Sequence, residues 1–211
     1  VRVYTYSNDS WVQLGPDIDG KAAGEQLGRR VSISADGNTF VASVHSIGRV
    51  RVYRYNSTSW EKLGSDLESK ASGDGLGSEV SISADGNTIA AGAPGNDDNG
   101  TGSGHVRVYR YNGTAWVQLG LDIGGEAEAD GLKDCSLSAD GNTIAVGATG
   151  NDDNGDGSGH VRVYQYSIAE SGWVQLGLDI RGEAAGDVAG VCSLSADGNT
   201  VAVSGPDNDA N

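Results

Sequence analysis

Apolar and polar residues alternate with a period of two over short runs. One such run, Val1-Arg2-Val3-Tyr4, returns as Val50-Arg51-Val52-Tyr53, Val106-Arg107-Val108-Tyr109 and Val161-Arg162-Val163-Tyr164, at separations of 49, 56 and 55 residues. Strict alternation predicts half-buried β-strands, with Val50 and Val52 on one face and Arg51 and Tyr53 on the other. Each run is followed by a Trp-led segment such as Trp116-Val117-Gln118-Leu119, which predicts a hairpin with it. A connection rich in Gly and acidic residues then leads to a second pair of runs, exemplified by Val80-Ser81-Ile82-Ser83 and Thr88-Ile89-Ala90-Ala91. Between these lies Ala-Asp-Gly-Asn-Thr, which recurs from Ala35, Ala84, Ala139 and Ala196. Asp-Gly between such runs predicts a tight hairpin with both turn residues at positive φ. No stretch shows sustained apolar spacing of three and four residues, so helix content is expected to be low.

Four strands per repeat and a period near fifty predict an all-β chain, a β-propeller of four-stranded antiparallel blades with about four repeats. Residues 1–211 are read as one domain, with repeats at about 1–49, 50–105, 106–160 and 161–211. The register is offset, because the chain starts on the third strand of a blade and ends on the second. The terminal strand pairs are therefore expected to satisfy each other, by closing a ring or by pairing head-to-tail between molecules, unless further repeats cover them.

Composition narrows the function. Glycine contributes 34 residues, methionine none and phenylalanine one, so the interior must be built from Val, Ile, Ala and Leu with recurring Trp and Tyr. A formal charge of −15 repels a phosphate backbone, and nucleic acid is not an expected partner. No apolar run reaches membrane-spanning length, so no membrane insertion is expected. The absence of an initiator Met and of a basic-then-apolar leader points to a processed product or fragment.

Three segments, Gly77-Ser78-Glu79-Val80-Ser81-Ile82-Ser83, Thr88-Ile89-Ala90-Ala91-Gly92-Ala93-Pro94 and Gly104-His105-Val106-Arg107-Val108-Tyr109, resemble the FG-GAP repeats of integrin alpha-subunit propellers. The likeness extends over nearly the whole chain, although the Phe of the motif is missing. The Ser-Ala-Asp-Gly-Asn-Thr turn is also similar to the equivalent turn of WD-type repeats. The resemblance implies extracellular adhesion and calcium-binding blades. In that family, however, the calcium loops lie where this chain has Ser-Ala-Asp-Gly-Asn-Thr.

Candidate sites follow from the repeats. In the loop from Asn151 to Gly159, Asp152, Asn154 and Asp156 stand at alternate positions before Gly157, a spacing that lets three oxygens converge on Ca²⁺. No bidentate Glu follows at the EF-hand distance, and the alternative is an ordinary polar loop. The copy from Asn96 to Gly104 has Thr101 in place of Asp156. Asn8, Asn56 and Asn112 begin N-glycosylation sequons at one hairpin turn, just before the repeated Trp, and Asn99 begins a fourth. The alternative is simple turn chemistry. Cys135 and Cys192 occupy the positions of Val31 and Val80, either as small buried hydrophobes or as a disulfide between blades. Trp11, Trp60, Trp116 and Trp173 recur once per repeat; packing between blades explains them more simply than a ring of sugar platforms. His105 and His160 precede corresponding strands but His45 does not align with them, so no metal-binding His set is indicated.

No nucleophile–base pair or paired carboxylate stands apart from the repeat, so the chain is not expected to be an enzyme. It reads as an extracellular or cell-surface structural and adhesive glycoprotein module, binding itself in a homo-oligomer or filament, or an extracellular protein or glycan. A carbohydrate-binding propeller is the alternative.

Overall fold

The computed structural model describes residues 1–208. A two-stranded ribbon of β1 (Tyr4–Ser7) and β2 (Ser10–Gln13) comes first. The next sheet comprises β3 (Leu27–Ile33), β4 (Thr39–Val44), β5 (Arg49–Tyr55), β6 (Trp60–Lys62) and β7 (Leu67–Glu68). Its successor comprises β8 (Val80–Ile82), β9 (Thr88–Ala93), β10 (His105–Tyr111), β11 (Trp116–Gln118) and β12 (Ile123–Gly124). The third comprises β13 (Asp134–Leu137), β14 (Thr143–Ala148), β15 (His160–Ser167), β16 (Gly172–Gln175) and β17 (Ile180–Arg181), and a second ribbon, β18 (Val191–Leu194) and β19 (Val201–Ser204), follows. All pairings within these sheets are antiparallel. In each full blade the outer strand is interrupted: β6 pairs with the far end of β5 and β7 with its start, and blades two and three repeat this. Among the described residues the only helical element is a 3₁₀ turn at His45–Ile47, and no helix is long and apolar enough to cross a membrane.

Blade-on-blade stacking makes the core. One cluster joins Val41, Val50 and Val52 of blade one to Val80, Ile82, Ile89 and Ala91 of blade two. The next joins Ala90, Val106 and Val108 of blade two to Cys135, Leu137, Ile144 and Val146 of blade three. The expected half-buried strand is corrected accordingly: Val50, Arg51, Val52 and Tyr53 are all buried, because a neighbouring blade covers each face of the sheet.

The Ala-Asp-Gly turns also differ from expectation. Only the glycines adopt positive φ, at 71° in Gly37, 69° in Gly86, 66° in Gly141 and 73° in Gly198, while the preceding aspartates do not. The turn is a longer loop in which Gly37 N–H donates to Ser34 O and Ser34 N–H to Thr39 O. Asp36 caps it, accepting from the Ser34 hydroxyl and from Asn38 N–H, and these bonds hold its carboxyl below the usual range. Longer turns project far enough to meet one another. Ala35 N–H donates to Ala84 O (3.0 Å), Ala84 N–H to Ala139 O (2.9 Å) and Ala139 N–H to Ala196 O (2.8 Å), a backbone chain running across all the inner hairpins.

The recurring tryptophans serve the same end. Indole N–H groups of Trp60, Trp116 and Trp173 donate to the carbonyls of Leu14, Leu63 and Leu119 in the preceding blade, at 2.7, 2.8 and 2.8 Å. Trp11 is 69% exposed.

Two positions on the inner strands give sharp tests. A Cβ on Gly147 would lie 1.6 Å from the carbonyl oxygen of Gly190, whereas one on Gly172 would meet nothing nearer than 3.6 Å. Gly147→Ala is expected to destabilise the fold by about 1–3 kcal/mol in chemical denaturation, against a near-neutral Gly172→Ala control. Asp134 is 8% exposed on β13, and burial, reinforced by the charge of Glu79, raises its pKa from 3.8 to about 6. An acid raised on folding destabilises when ionised, so its cost appears as pH climbs from about 4 to about 6 and persists above. Asp134→Asn is therefore expected to raise stability by about 1–3 kcal/mol at pH 7 and to leave it unchanged below pH ~4, measured by urea melts at the two pH values.

Candidate functional site

At the end of the blades opposite the Ala-Asp-Gly turns, each interface carries a polar seam built from the same repeat positions. The Arg of Val-Arg-Val-Tyr points into it. Arg51, 1% exposed, donates to both carboxylate oxygens of Glu25 (2.9 and 3.1 Å) and to Asp66 (2.9 Å). The Arg51 hydrogen bonds hold Glu25 at a pKa of about 2. Burial opposes ionisation of Asp66, but Lys62 and Arg51 outweigh it and hold that carboxyl at about 2 as well. Arg107 pairs in the same way with Asp122 (3.2 Å), and Arg162 with Glu126 (3.1 Å) and the Gly124 carbonyl (2.8 Å).

A lysine from the connection of one blade reaches the aspartate of the next. Lys21 Nζ lies 3.6 Å from Asp66, and Lys70 Nζ bridges Asp122 (2.6 Å) and Asp98 (2.7 Å). Burial opposes the ionisation of Asp122, which Lys70 and Arg107 nonetheless keep below the usual range. At the third interface the corresponding residue is Glu126, and the aspartates there are Asp153 and Asp179. Arg181 bridges that pair from the rim at 3.1 and 3.2 Å.

Two histidines complete these clusters. His105 and His160 open β10 and β15, are 1% and 0% exposed, and neither ring nitrogen of either has a hydrogen-bond partner. His105 Nδ1 lies 3.7 Å from Asp122 Oδ2, too long for a hydrogen bond. Burial lowers the pKa of both rings, so each is a neutral imidazole near pH 7. Donor atoms of Asp98, His105 and Asp122 lie within 4.8 Å of one another, as do those of Glu126, Asp153, His160 and Asp179. The three histidines form no shared set: His105 and His160 each stand beside carboxylates of their own interface and not with the other histidines. Alignment of Lys21, Lys70, Glu126 and Glu183 down the repeats carries the signal, because it exposes a change from lysine to glutamate at one structural position.

The loops proposed for calcium are what deliver Asp98 and Asp153. Asp152 Oδ1 accepts from Gly157 N–H (2.7 Å), and Asn154 Nδ2 donates to the carbonyls of Gly182 (2.8 Å) and Glu183 (3.1 Å). Asp156 is exposed. Asp152 and Asn154 thus hold the loop's shape and tie it to the next connection, and Asp153 between them is the residue that reaches His160.

Asn8, Asn56 and Asn112 are exposed at equivalent hairpin turns. Asn56 and Asn112 organise theirs by accepting from the N–H groups of Thr58 and Thr114, both at 3.0 Å. Asn99 is differently placed, its Nδ2 donating to Gly125 O at 2.7 Å. Cys135 and Cys192 sit on the inner strands β13 and β18, and both are free thiols, so the alternative of a disulfide between blades is not formed. Cys135 packs in the apolar core as Val80 does one blade earlier, and burial pushes the Cys192 thiol up to about 12. A groove of about 680 Å³ at the turn end is lined by Arg54, Asn87, Arg110 and Asn142. Its arginines are engaged, Arg54 with Asn87 and Arg110 with Asn142, both at 2.9 Å.

Comparison with known proteins agrees on the architecture. A family model described as FG-GAP repeat matches residues 68–109, the stretch from the end of β7 into β10. Comparison with curated proteins gave no match. Among solved structures, a Bacteroides uniformis protein described as a candidate 6-phosphogluconolactonase aligns with a TM-score of 0.58 at 13% identity, covering 95% of this chain and 56% of that one. The periplasmic gluconolactonase of Pseudomonas aeruginosa aligns with a TM-score of 0.56 at 16% identity, covering 95% and 50%. A β-propeller domain from Myceliophteria thermophila aligns with a TM-score of 0.54 at 12% identity, covering 84% and 49%. The chain thus spans about half the length of these structures. The expectation that the chain is not an enzyme is corrected by these likenesses: proteins bearing lactonase names share its scaffold, and the fold gives no ground for excluding catalysis. Antiparallel four-stranded blades, their mode of stacking and the matched segment together make the chain a β-propeller repeat protein that carries an FG-GAP repeat at residues 68–109.

Proposed function

We propose that the chain is an extracellular structural or adhesive module that joins other copies of itself through its two-stranded ribbons β1–β2 and β18–β19. The observation that carries this reading is the state of the two ribbons. β1–β2 and β18–β19 each form a separate two-stranded sheet, with no pairing between them. They leave apolar groups uncovered, among them Tyr6 (59% exposed) and Val191 (50%), and a ribbon of two strands is marginal by itself. Every full blade joins its second and third strands in one register, in which Phe40 faces Tyr53, Ile89 faces Tyr109 and Ile144 faces Tyr164. The same register would set Val201 opposite Tyr4 and Ala202 opposite Val3 of a second copy, completing a blade head-to-tail. Such a contact is heterologous and extends into an open assembly.

The extracellular part of the reading is supported by the sequons, since Asn8, Asn56 and Asn112 stand on exposed turns, clear of the strands at which blades stack. Tandem blades displaying a strongly acidic surface suit cohesion or display. The recurring indoles do not favour the carbohydrate-binding alternative, because three of the four donate their N–H to the preceding blade.

Sedimentation velocity over a hundredfold concentration range is expected to show wild-type chains associating and chains lacking residues 1–15 remaining monomeric. A wild type that stays monomeric throughout counts against head-to-tail pairing. In material from its native source, peptide mass spectrometry is expected to find glycans on Asn8, Asn56 and Asn112; three unmodified asparagines would remove the support for a secreted glycoprotein.

A further inference from the structure

We propose that Glu126, Asp153, His160 and Asp179 form a binding site for a divalent transition-metal ion, zinc being the best fit, that clamps blade two to blade three. Three of the donors belong to blade three, whereas Glu126 follows β12 of blade two, so an ion held by all four crosses the interface.

Comparison of the interfaces carries the inference. Lys70 is a built-in cation where Asp98 and Asp122 meet beside His105, with its Nζ within hydrogen-bond distance of both carboxylates. One interface further on, Asp153, His160 and Asp179 occupy the equivalent places, but the position of Lys70 is taken by Glu126. A lysine ammonium has been exchanged for a carboxylate facing two other carboxylates. Stacking a third acid onto such a pair is unfavourable unless a cation compensates. Arg162 pairs with Glu126 at 3.1 Å and Arg181 reaches Asp153 and Asp179, so two cations face three carboxylates here, whereas Lys70 and Arg107 balance the two carboxylates of the neighbouring interface.

His160 supplies the second, independent observation. It is fully buried, both ring nitrogens lack a partner, and one of them lies within the 4.8 Å cluster. An unpaired buried imidazole is costly, and a metal bond would satisfy one of its two nitrogens. One nitrogen and three carboxylate oxygens match zinc and its neighbours and suit calcium poorly, because calcium takes six to eight oxygens. Donors of a tetrahedral zinc site lie about 3.4 Å apart, so the widest pairs in this cluster close by up to about 1.4 Å when the ion binds.

The test uses the full chain stripped with EDTA and then given Zn²⁺, read by bound metal after gel filtration and by Tm. Wild type is expected to retain one equivalent and to gain Tm with zinc concentration. Glu126→Lys rebuilds the neighbouring interface and is expected to retain none while keeping its fold and the Tm of zinc-free wild type or better. Lys70→Glu is expected to bind two equivalents by opening the site at Asp98, His105 and Asp122. Co²⁺ is expected to give visible d–d absorption in wild type that His160→Asn loses. The proposal is overturned if wild type retains no zinc, if Glu126→Lys and His160→Asn retain as much as wild type, or if the chain takes up Ca²⁺ but not Zn²⁺.

Discussion

Each sheet of this protein is too thin to bury anything by itself, and the structure depends on covering both of its faces with the neighbouring blade. The apolar clusters therefore belong to interfaces and not to blades, as Val41 and Ile89 in one cluster and Ala90 and Ile144 in the next make plain. Stacking at this distance restricts the side chains that can be used. Small residues dominate β9 and β14, and Gly147 lets the carbonyl of Gly190 approach where any Cβ would collide. Volume is recovered at the outer strands, where Trp60, Trp116 and Trp173 lean on the preceding blade.

Directionality comes from hydrogen bonds laid across the stack. The Trp indoles bond backwards to Leu carbonyls, and Ser81 and Ser136 accept from the N–H groups of Leu137 and Leu194 one blade ahead. The Ala-Asp-Gly turns add a backbone chain at one end. These bonds link each blade only to its immediate neighbours, so stability accumulates along the array in nearest-neighbour steps. The arginine pairs at the other end are of a different kind. A charge as buried as Arg51 contributes little net stability after desolvation, but the loss of either partner would be costly, so the pairs specify which blade faces which.

Polar seams built by repetition can diverge one interface at a time. At the Lys70 interface Lys70 and Arg107 balance Asp98 and Asp122, whereas at the Glu126 interface Arg162 and Arg181 face three carboxylates. A repeat scaffold tolerates this because each seam is independent of the others. Divergence at such a position is a more informative sign of chemistry than recurrence, since residues that recur in every blade are explained by stacking.

Much of the architecture was legible in the residues alone. The period, the four strands of each blade, the hairpins at Asp36-Gly37 and its copies, and the packing role of the tryptophans all follow from alternation and spacing, which are local and repeated. Burial of Arg51 and Tyr53 was not legible, because alternation describes one sheet and cannot report a second sheet on its far face. The turn departs from its local pattern for a related reason: Asp-Gly favours a tight hairpin locally, while contact between successive turns selects the longer loop with Gly alone at positive φ. The loop at Asn151 is legible as polar and acidic, and local spacing points to Asp152, Asn154 and Asp156; the fold ties Asp152 to Gly157 N–H and Asn154 Nδ2 to the carbonyls of Gly182 and Glu183, and turns Asp153 toward His160. Glu126 and Asp179 lie far from Asp153 in the chain, and no local pattern links them. Sequence determined the blade, because a blade is made of neighbours in the chain. Only the tertiary structure decided the seams, because their residues become neighbours when one blade is stacked on the next.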